Sequence, residues 1–372
     1  MAGAETPGWA AEPARGLWKD VDAFIRPRIG GVEGLVRHGL GPLAADILER
    51  EGRALPEVLG SEQRRARVAA LAAPVLLSRV RGVLQEPIIV LKGPEIASRY
   101  PGSARLFSDI DLLTPDAAAA QSELVASGFV EAPDHEGIWV GIHHLPPISW
   151  PGIPLYLEVH AEPKWPDGLA PPPNAELFAA GTPARLGVPG VLAPDPGHHA
   201  LLVAAHAWAH QPLRTFRDLL DVGALAAEAD AGELERLARR WDIGRLWRTT
   251  GEALAALLSG RRTAPLRLWA GHVGSLRAQT VLEQHLERIA SPFWGLPAGA
   301  AARHSLRALG AELRPAFDEG WGEKVRRTGQ AVRRPKMPVP AHDELLGDSA
   351  RRGRRRNPRQ ASTDERTAHD PD

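Results

Sequence analysis

The sequence predicts an α/β (α+β) protein, in which a small mixed β-sheet core is flanked by N-terminal helices and a C-terminal helical domain. Three observations carry this reading. In the early and late parts of the chain, apolar residues recur at three- and four-residue spacing, the period of a helix buried on one face. Between these parts lie short apolar runs at residues 88–91, 106–113 and 155–160, which read as strands. In the last two runs polar and apolar residues alternate, so each strand carries one polar face.

Residues 1–15 are rich in Ala, Pro and Gly and are expected to be disordered. Residues 16–86 form a helical region, in which Leu40, Leu43, Ala44, Ile47 and Leu48 recur at helical spacing, as do Val68, Leu71, Val75 and Leu76. Residues 87–192 form the α/β core, opening with the buried-strand pattern Ile88-Ile89-Val90-Leu91. A Lys92-Gly93 turn and a short helix from Pro94 to Tyr100 lead to the strand that holds Asp109 and Asp111.

Thr114 then reads as an N-cap, with Pro115 at the first helical position and Asp116 in the first turn. The alanine-rich helix that follows ends at Gly128. Residues 138–142 and 155–160 read as two further strands, with turn chemistry at His143-His144-Leu145-Pro146-Pro147, and 163–173 is a proline-rich loop. Residues 193–325 form the C-terminal helical domain, clearest over 196–258. Residues 326–372 lose apolar periodicity, contain the run 351–356 rich in Arg, and are expected to be a disordered tail.

Composition removes several classes of function. Lys+Arg and Asp+Glu both number 45, so no global basic field marks nucleic acid as the main partner. The absence of cysteine excludes disulfides, zinc–thiolate sites and thiol catalysis, and fits a reducing compartment. No signal-peptide pattern opens the chain, and no apolar run approaches the ~18 to 20 residues of a membrane span. A cytoplasmic protein without membrane contact is the expectation. Neither GxxxxGK[ST] nor GxGxxG occurs, which argues against P-loop and Rossmann enzymes.

The chemistry concentrates in Phe107-Ser108-Asp109-Ile110-Asp111-Leu112-Leu113. On a strand, Asp109 and Asp111 share one face while Ile110 points into a core. Carboxylates held side by side repel, and a divalent cation relieves that repulsion. Mg²⁺ is commonly held by one or two carboxylates plus substrate phosphates. The segment therefore reads as a metal–triphosphate site for phosphoryl or nucleotidyl transfer. Glu158 is the best third carboxylate, because Tyr156, Glu158 and His160 alternate with Leu155, Leu157 and Val159.

The ordered set Leu91-Lys92-Gly93, Tyr100, Arg105, Ser108-Asp109-Ile110-Asp111 and Leu157-Glu158-Val159-His160 resembles the uncharacterised bacterial nucleotidyltransferase family. That family lies within the DNA polymerase β-like nucleotidyltransferase superfamily. The helical stretch with His206, Trp208 and His210, followed by Leu213-Arg214 and Arg217-Asp218-Leu219-Leu220-Asp221, is similar to the family's C-terminal part. The resemblance implies that Asp109, Asp111 and Glu158 are catalytic and ligate Mg²⁺, with Mn²⁺ as the alternative ion. It places Lys92, Gly93, Arg105 and Ser108 in nucleotide binding, with a nucleoside triphosphate as substrate. A small molecule or a protein side chain would supply the acceptor hydroxyl.

One departure stands out. The superfamily often has Gly-Ser or Gly-Gly at the turn, whereas Pro94 follows Gly93 here and removes a backbone N–H that would cradle phosphate. Lys92 then compensates as a point charge. The alternative function is a nucleotide- or partner-binding protein of the same fold that has lost catalysis.

The neighbouring residues leave choices open. His160 either orients Glu158 or covers the site. His206 and His210 share a helix face at i,i+4 spacing, but lack the Glu of a His-Glu-x-x-His helix and a third ligand. A structural or substrate-facing role is expected for them, not a zinc site. Arg214 and Arg217 either form ion pairs as their helix docks on the core, or reach the cleft to bind nucleotide or acceptor.

Overall fold

A computed structural model of the chain describes residues 14–132, 145–314 and 320–331. The expected strand at 138–142, His143-His144, and nearly all of the expected N-terminal and Arg-rich tails lie outside the described residues. The described residues all fall within one compact unit, Met1–Pro335.

The N-terminal helical region divides into α1 (Ala14–Ile25), α2 (Val32–Arg37), α3 (Gly41–Arg50) and α4 (Glu57–Val83). The core follows as β1 (Ile88–Val90), α5 (Pro94–Ala97), β2 (Asp109–Leu113), α6 (Ala117–Ala126), β3 (Val130–Glu131), β4 (Ile148–Ser149) and β5 (Tyr156–His160). It is completed by α7 (Asn174–Ala179), β6 (Gly181–Pro183) and β7 (Val191–Pro194). The C-terminal helices begin with α8 (Pro196–His210), α9 (Phe216–Ala226), α10 (Ala231–Arg240) and α11 (Gly244–Leu258). They continue through α12 (Ala264–Leu268), α13 (Gly271–Gly274), α14 (Val281–Ala290), α15 (Pro292–Gly295), α16 (Ala298–Leu313) and α17 (Trp321–Ala331). Regular helix thus extends past Arg326, where the sequence pattern places the start of the tail.

The helix after β2 is capped differently from the sequence expectation. Thr114 directly follows β2, and its N–H donates to the His160 carbonyl at the end of β5 at 3.3 Å. Asp116 is the N-cap instead, accepting from the Ala119 N–H at 3.0 Å. The end is as expected: Gly128 has φ +111° and the Phe129 N–H returns to the Leu124 carbonyl at 3.1 Å.

The seven strands order as β3-β4-β5-β2-β1-β7-β6. Pairing is mixed: β2/β5 and β1/β7 are parallel, while β1/β2, β3/β4, β4/β5 and β6/β7 are antiparallel. The period-two alternation divides the sheet between two apolar clusters. Ile88, Val90, Ile110, Leu112, Leu157 and Val159 pack with α4 and α6. Ile89 and Leu113 face the other way, into the cluster formed by α1, α3, α8, α9 and α11. Asp109, Asp111, Glu158 and His160 project on this second face, toward α8. No helix among the described residues is long and apolar enough to cross a membrane.

Candidate metal and nucleotide site

The acids meet because β2 and β5 are neighbours in parallel register, with Asp109 opposite Tyr156, Asp111 opposite Glu158 and Leu113 opposite His160. Asp111 is buried, and its Oδ1 lies 3.1 Å from His160 Nε2. The same ring nitrogen is 3.8 Å from Glu158 Oε2. Asp111, Glu158 and His160 each offer a ligand atom within 4.8 Å of the others. Asp109 stands one alternate position earlier on β2, half-buried, and is not one of these three. The clustered set therefore contains His160 where the sequence reading placed Asp109.

Electrostatics separate the two clustered acids. Burial pushes Glu158 up to about 8, and the charges of Asp111 and Asp109 add to this. Burial also disfavours ionised Asp111, but Lys92 and then His160 outweigh it and hold that carboxyl well below its usual range. Asp111 Oδ2 is buried without a hydrogen-bond partner among the described residues. A buried acceptor of this kind, beside a second carboxylate and an imidazole, fits a small divalent cation. The carboxylate oxygens suit Mg²⁺ or Mn²⁺, and the imidazole nitrogen is tolerated by the latter.

A basic wall faces these acids. Lys92 leaves the end of β1, where the Leu91 N–H still bonds to the Asp111 carbonyl at 2.9 Å. Gly93 follows with φ +74°, and a Cβ there would stand 2.5 Å from the Asp109 carbonyl oxygen. Glycine is required both for the conformation and for the approach to β2. Lys92 Nζ lies 3.0 Å from His206 Nε2 on α8. Burial, and then the Lys92 charge, lower the His206 pKa well below its usual value. The neutral ring accepts a hydrogen bond from the Lys92 ammonium.

Lys164, in the loop after β5, lies 2.8 Å from His210 Nδ1, and the His206 and His210 rings are 4.7 Å apart. Burial and repulsion from Lys92 push Lys164 down to about 8. The sequence reading missed Lys164, since a single lysine in a proline-rich loop has no periodic signature. His199, two turns before His206 on α8, donates from Nε2 to the Leu91 carbonyl at 2.7 Å and fixes the helix to the sheet.

The other expected nucleotide-binding residues are placed differently. Arg105 is buried, and its Nε and Nη2 each donate to Asp221 of α9 at 2.7 Å. Tyr100 OH donates to the same carboxylate at 2.7 Å. Arg105 Nη1 reaches the Gly93 carbonyl at 3.5 Å, so this guanidinium supports the turn from behind and ties it to α9. Ser108 is half-buried, and its carbonyl accepts from the Tyr156 N–H at 2.9 Å. Arg217 donates to the Leu106 carbonyl at 3.4 Å and packs over Gly39. Arg214 is exposed, 3.9 Å from Asp218.

The fold and site define an α/β protein that sets a cluster of two acids and a histidine against a wall of lysines and histidines. The family model for uncharacterised nucleotidyltransferases matches residues 33–258, and the chain belongs to that family of transferases. All residues of the acidic cluster and the basic wall lie inside the matched stretch, whereas α12 to α17 follow it. Comparisons with curated proteins and with solved structures gave no significant match.

Proposed function

We propose that the protein transfers a nucleoside monophosphate from a nucleoside triphosphate to a hydroxyl acceptor, releasing pyrophosphate. The observation that carries this reading is the in-register pairing of Asp111 with Glu158, facing Lys92 and Lys164. Asp111, Glu158 and His160 would hold a divalent ion, Mg²⁺ or Mn²⁺, with Asp109 next along the strand. When bound, such an ion neutralises charge on the phosphate oxygens.

Lys92 and Lys164 bind the triphosphate as point charges, a role that Pro94 makes necessary by removing one backbone donor from the turn. Gly93 holds Lys92 against β2, and Arg105 keeps that turn seated on α9. The acceptor oxygen forms a bond to the α-phosphorus as the bond from that phosphorus to the bridging oxygen breaks. The hydroxyl proton passes to the Glu158 carboxylate. The electron pair of the broken bond leaves with pyrophosphate.

The test uses purified protein, Mg²⁺ or Mn²⁺, each α-labelled nucleoside triphosphate and a panel of hydroxylic acceptors. Label should move to an acceptor with matching pyrophosphate release, and Asp111→Asn and Glu158→Gln should each abolish it. Full turnover in either variant would falsify the assignment. Pro94 favours a second reading, in which nucleotide is bound without transfer. Retention of labelled nucleotide with no pyrophosphate across the whole panel would select that reading.

A further inference from the structure

A cavity of about 350 Å³ opens beside the basic wall. Its sides are the loop after Lys164, the C-terminal end of α8, and the helices α14 to α16. Pro166, Trp208, His210, Glu287, Ser291 and Leu296 are among its lining residues. His210 belongs to both places, because it lines the cavity and also lies 2.8 Å from Lys164 Nζ. The cavity is therefore a side chamber of the proposed nucleotide site.

Its lining combines apolar side chains with one oriented acceptor, Glu287, and with Asp167, Arg288 and His304. Gly295 lets the backbone of α15 sit directly on the Trp208 indole, where a Cβ would stand 2.5 Å from the ring. Trp208 is fixed in turn by its Nε1–H, which donates to Thr250 Oγ1 at 2.8 Å. Opposite the apolar side, the buried Glu287 carboxylate is aimed by the amides of Gln211 and Gln279, which donate to Oε2 at 2.6 and 2.8 Å. The volume lies at the small end of ligand pockets, which span ~300–1,000 Å³.

We propose that this chamber is the acceptor subsite and takes a small polyhydroxylated ring compound, of the sugar or cyclitol type. The inference rests on the nucleotidyl-transfer reading and names its acceptor class. The C–H face of such a ring packs on the apolar side of the cavity, where Pro292 and Leu296 flank the exposed edge of Trp208, while its hydroxyls donate to Glu287 and exchange hydrogen bonds with Ser291. One hydroxyl points past His210 toward the nucleotide. Because α14 to α16 follow residue 258, the subsite is half built from chain outside the family-matched stretch. Acceptor choice would thus rest in part on residues that follow the matched stretch.

Saturation-transfer NMR on the full chain, with D-glucose, myo-inositol and a serine-containing peptide as probes, tests the proposal. A polyol signal is expected, with no signal from the peptide. Ala308→Trp should fill the cavity from α16, and Glu287→Gln should remove the acceptor charge without changing volume. Each should weaken polyol binding at least tenfold while the protein keeps a cooperative thermal unfolding transition. Should Ala308→Trp not fold, Glu287→Gln alone decides. Equal polyol binding in wild type and variants, peptide binding in place of polyol, or no polyol binding overturns the acceptor subsite.

Binding of Mg²⁺ with a non-hydrolysable nucleoside triphosphate is measured in parallel. Nucleotide binding without polyol binding overturns the chamber and leaves the nucleotidyl-transfer reading intact. Polyol binding lost in the variants, but without any nucleotide binding, overturns that reading while the chamber stands as a polyol site.

Discussion

Asp111 on β2 and Glu158 on β5 occupy directly paired positions on parallel neighbouring strands, with the His160 ring within 4 Å of both. Replacing either acid removes a ligand from a preorganised set. Asp111→Asn and Glu158→Gln should each weaken Mn²⁺ binding by more than about 100-fold, since even residues behind the ligands change affinity by ~10–100-fold. In the metal-free protein Glu158→Gln should not lower the melting temperature, because it relieves repulsion from Asp111 and Asp109, whereas Asp111→Asn should lower it by giving up the attraction of Lys92 and His160. Titration followed by electron paramagnetic resonance reads the affinity, and wild-type binding in both variants would remove the metal assignment.

The Arg105–Asp221 pair is a prediction about stability. Both groups are buried and bonded in a bidentate arrangement, so removing one partner strands a charge. Arg105→Ala should destabilise the fold by about 3–5 kcal/mol in urea unfolding. Tyr100→Phe, which deletes a single hydrogen bond, should lose about 1 kcal/mol. The double replacement Arg105→Met with Asp221→Leu should recover most of the first loss. A change of only a few tenths in Arg105→Ala would contradict the buried pair.

Gly93 makes a separate claim. Alanine there meets the Asp109 carbonyl and an unfavourable positive φ. Gly93→Ala should lower stability by roughly 2 kcal/mol or more, and nucleotide affinity should fall with it because Lys92 moves. Stability and affinity that both stay at wild-type levels would show that the turn yields freely.

The buried histidines set a pH dependence. Burial pushes His38 down to about 4 and His199 to about 3, against an ordinary value near ~6.5. As pH falls below that value the unfolded chain takes up protons that the native protein refuses, so stability is lost toward the native values. Each histidine contributes up to about a tenfold change in the unfolding constant per pH unit, so the pair approaches about 100-fold per pH unit between its ordinary and native values. His199→Gln keeps a donor for the Leu91 carbonyl and should flatten the urea-midpoint slope. An unaltered slope would show that His199 is protonated in the native state.

Much of the site could be read from local pattern. Alternation alone put Asp109 and Asp111 opposite Ile110, and Glu158 and His160 opposite Leu157 and Val159, and the two apolar clusters follow that division. The i,i+4 spacing of His206 and His210 put both on one face of α8, where their rings are neighbours. These are short-range properties, fixed by a residue's own backbone geometry.

Other features depend on chain closure, which no local period encodes. Alternation says which face a side chain takes but not which strand lies beside it, so the Asp111–Glu158 pairing awaited the β2/β5 register. The same register brings in His160 and leaves Asp109 one step away. Arg105 has the charge expected of a phosphate ligand, yet the docking of α9 gives it Asp221, a partner 116 residues away. The sequence by itself determined the longer helices and the alternation of the acidic strand, but not the buried side of α4, where Val68, Leu71 and Val75 of the expected apolar set stand exposed. Tertiary structure decided which charges face the cleft and which are neutralised behind it, because burial and long-range pairing are set by packing.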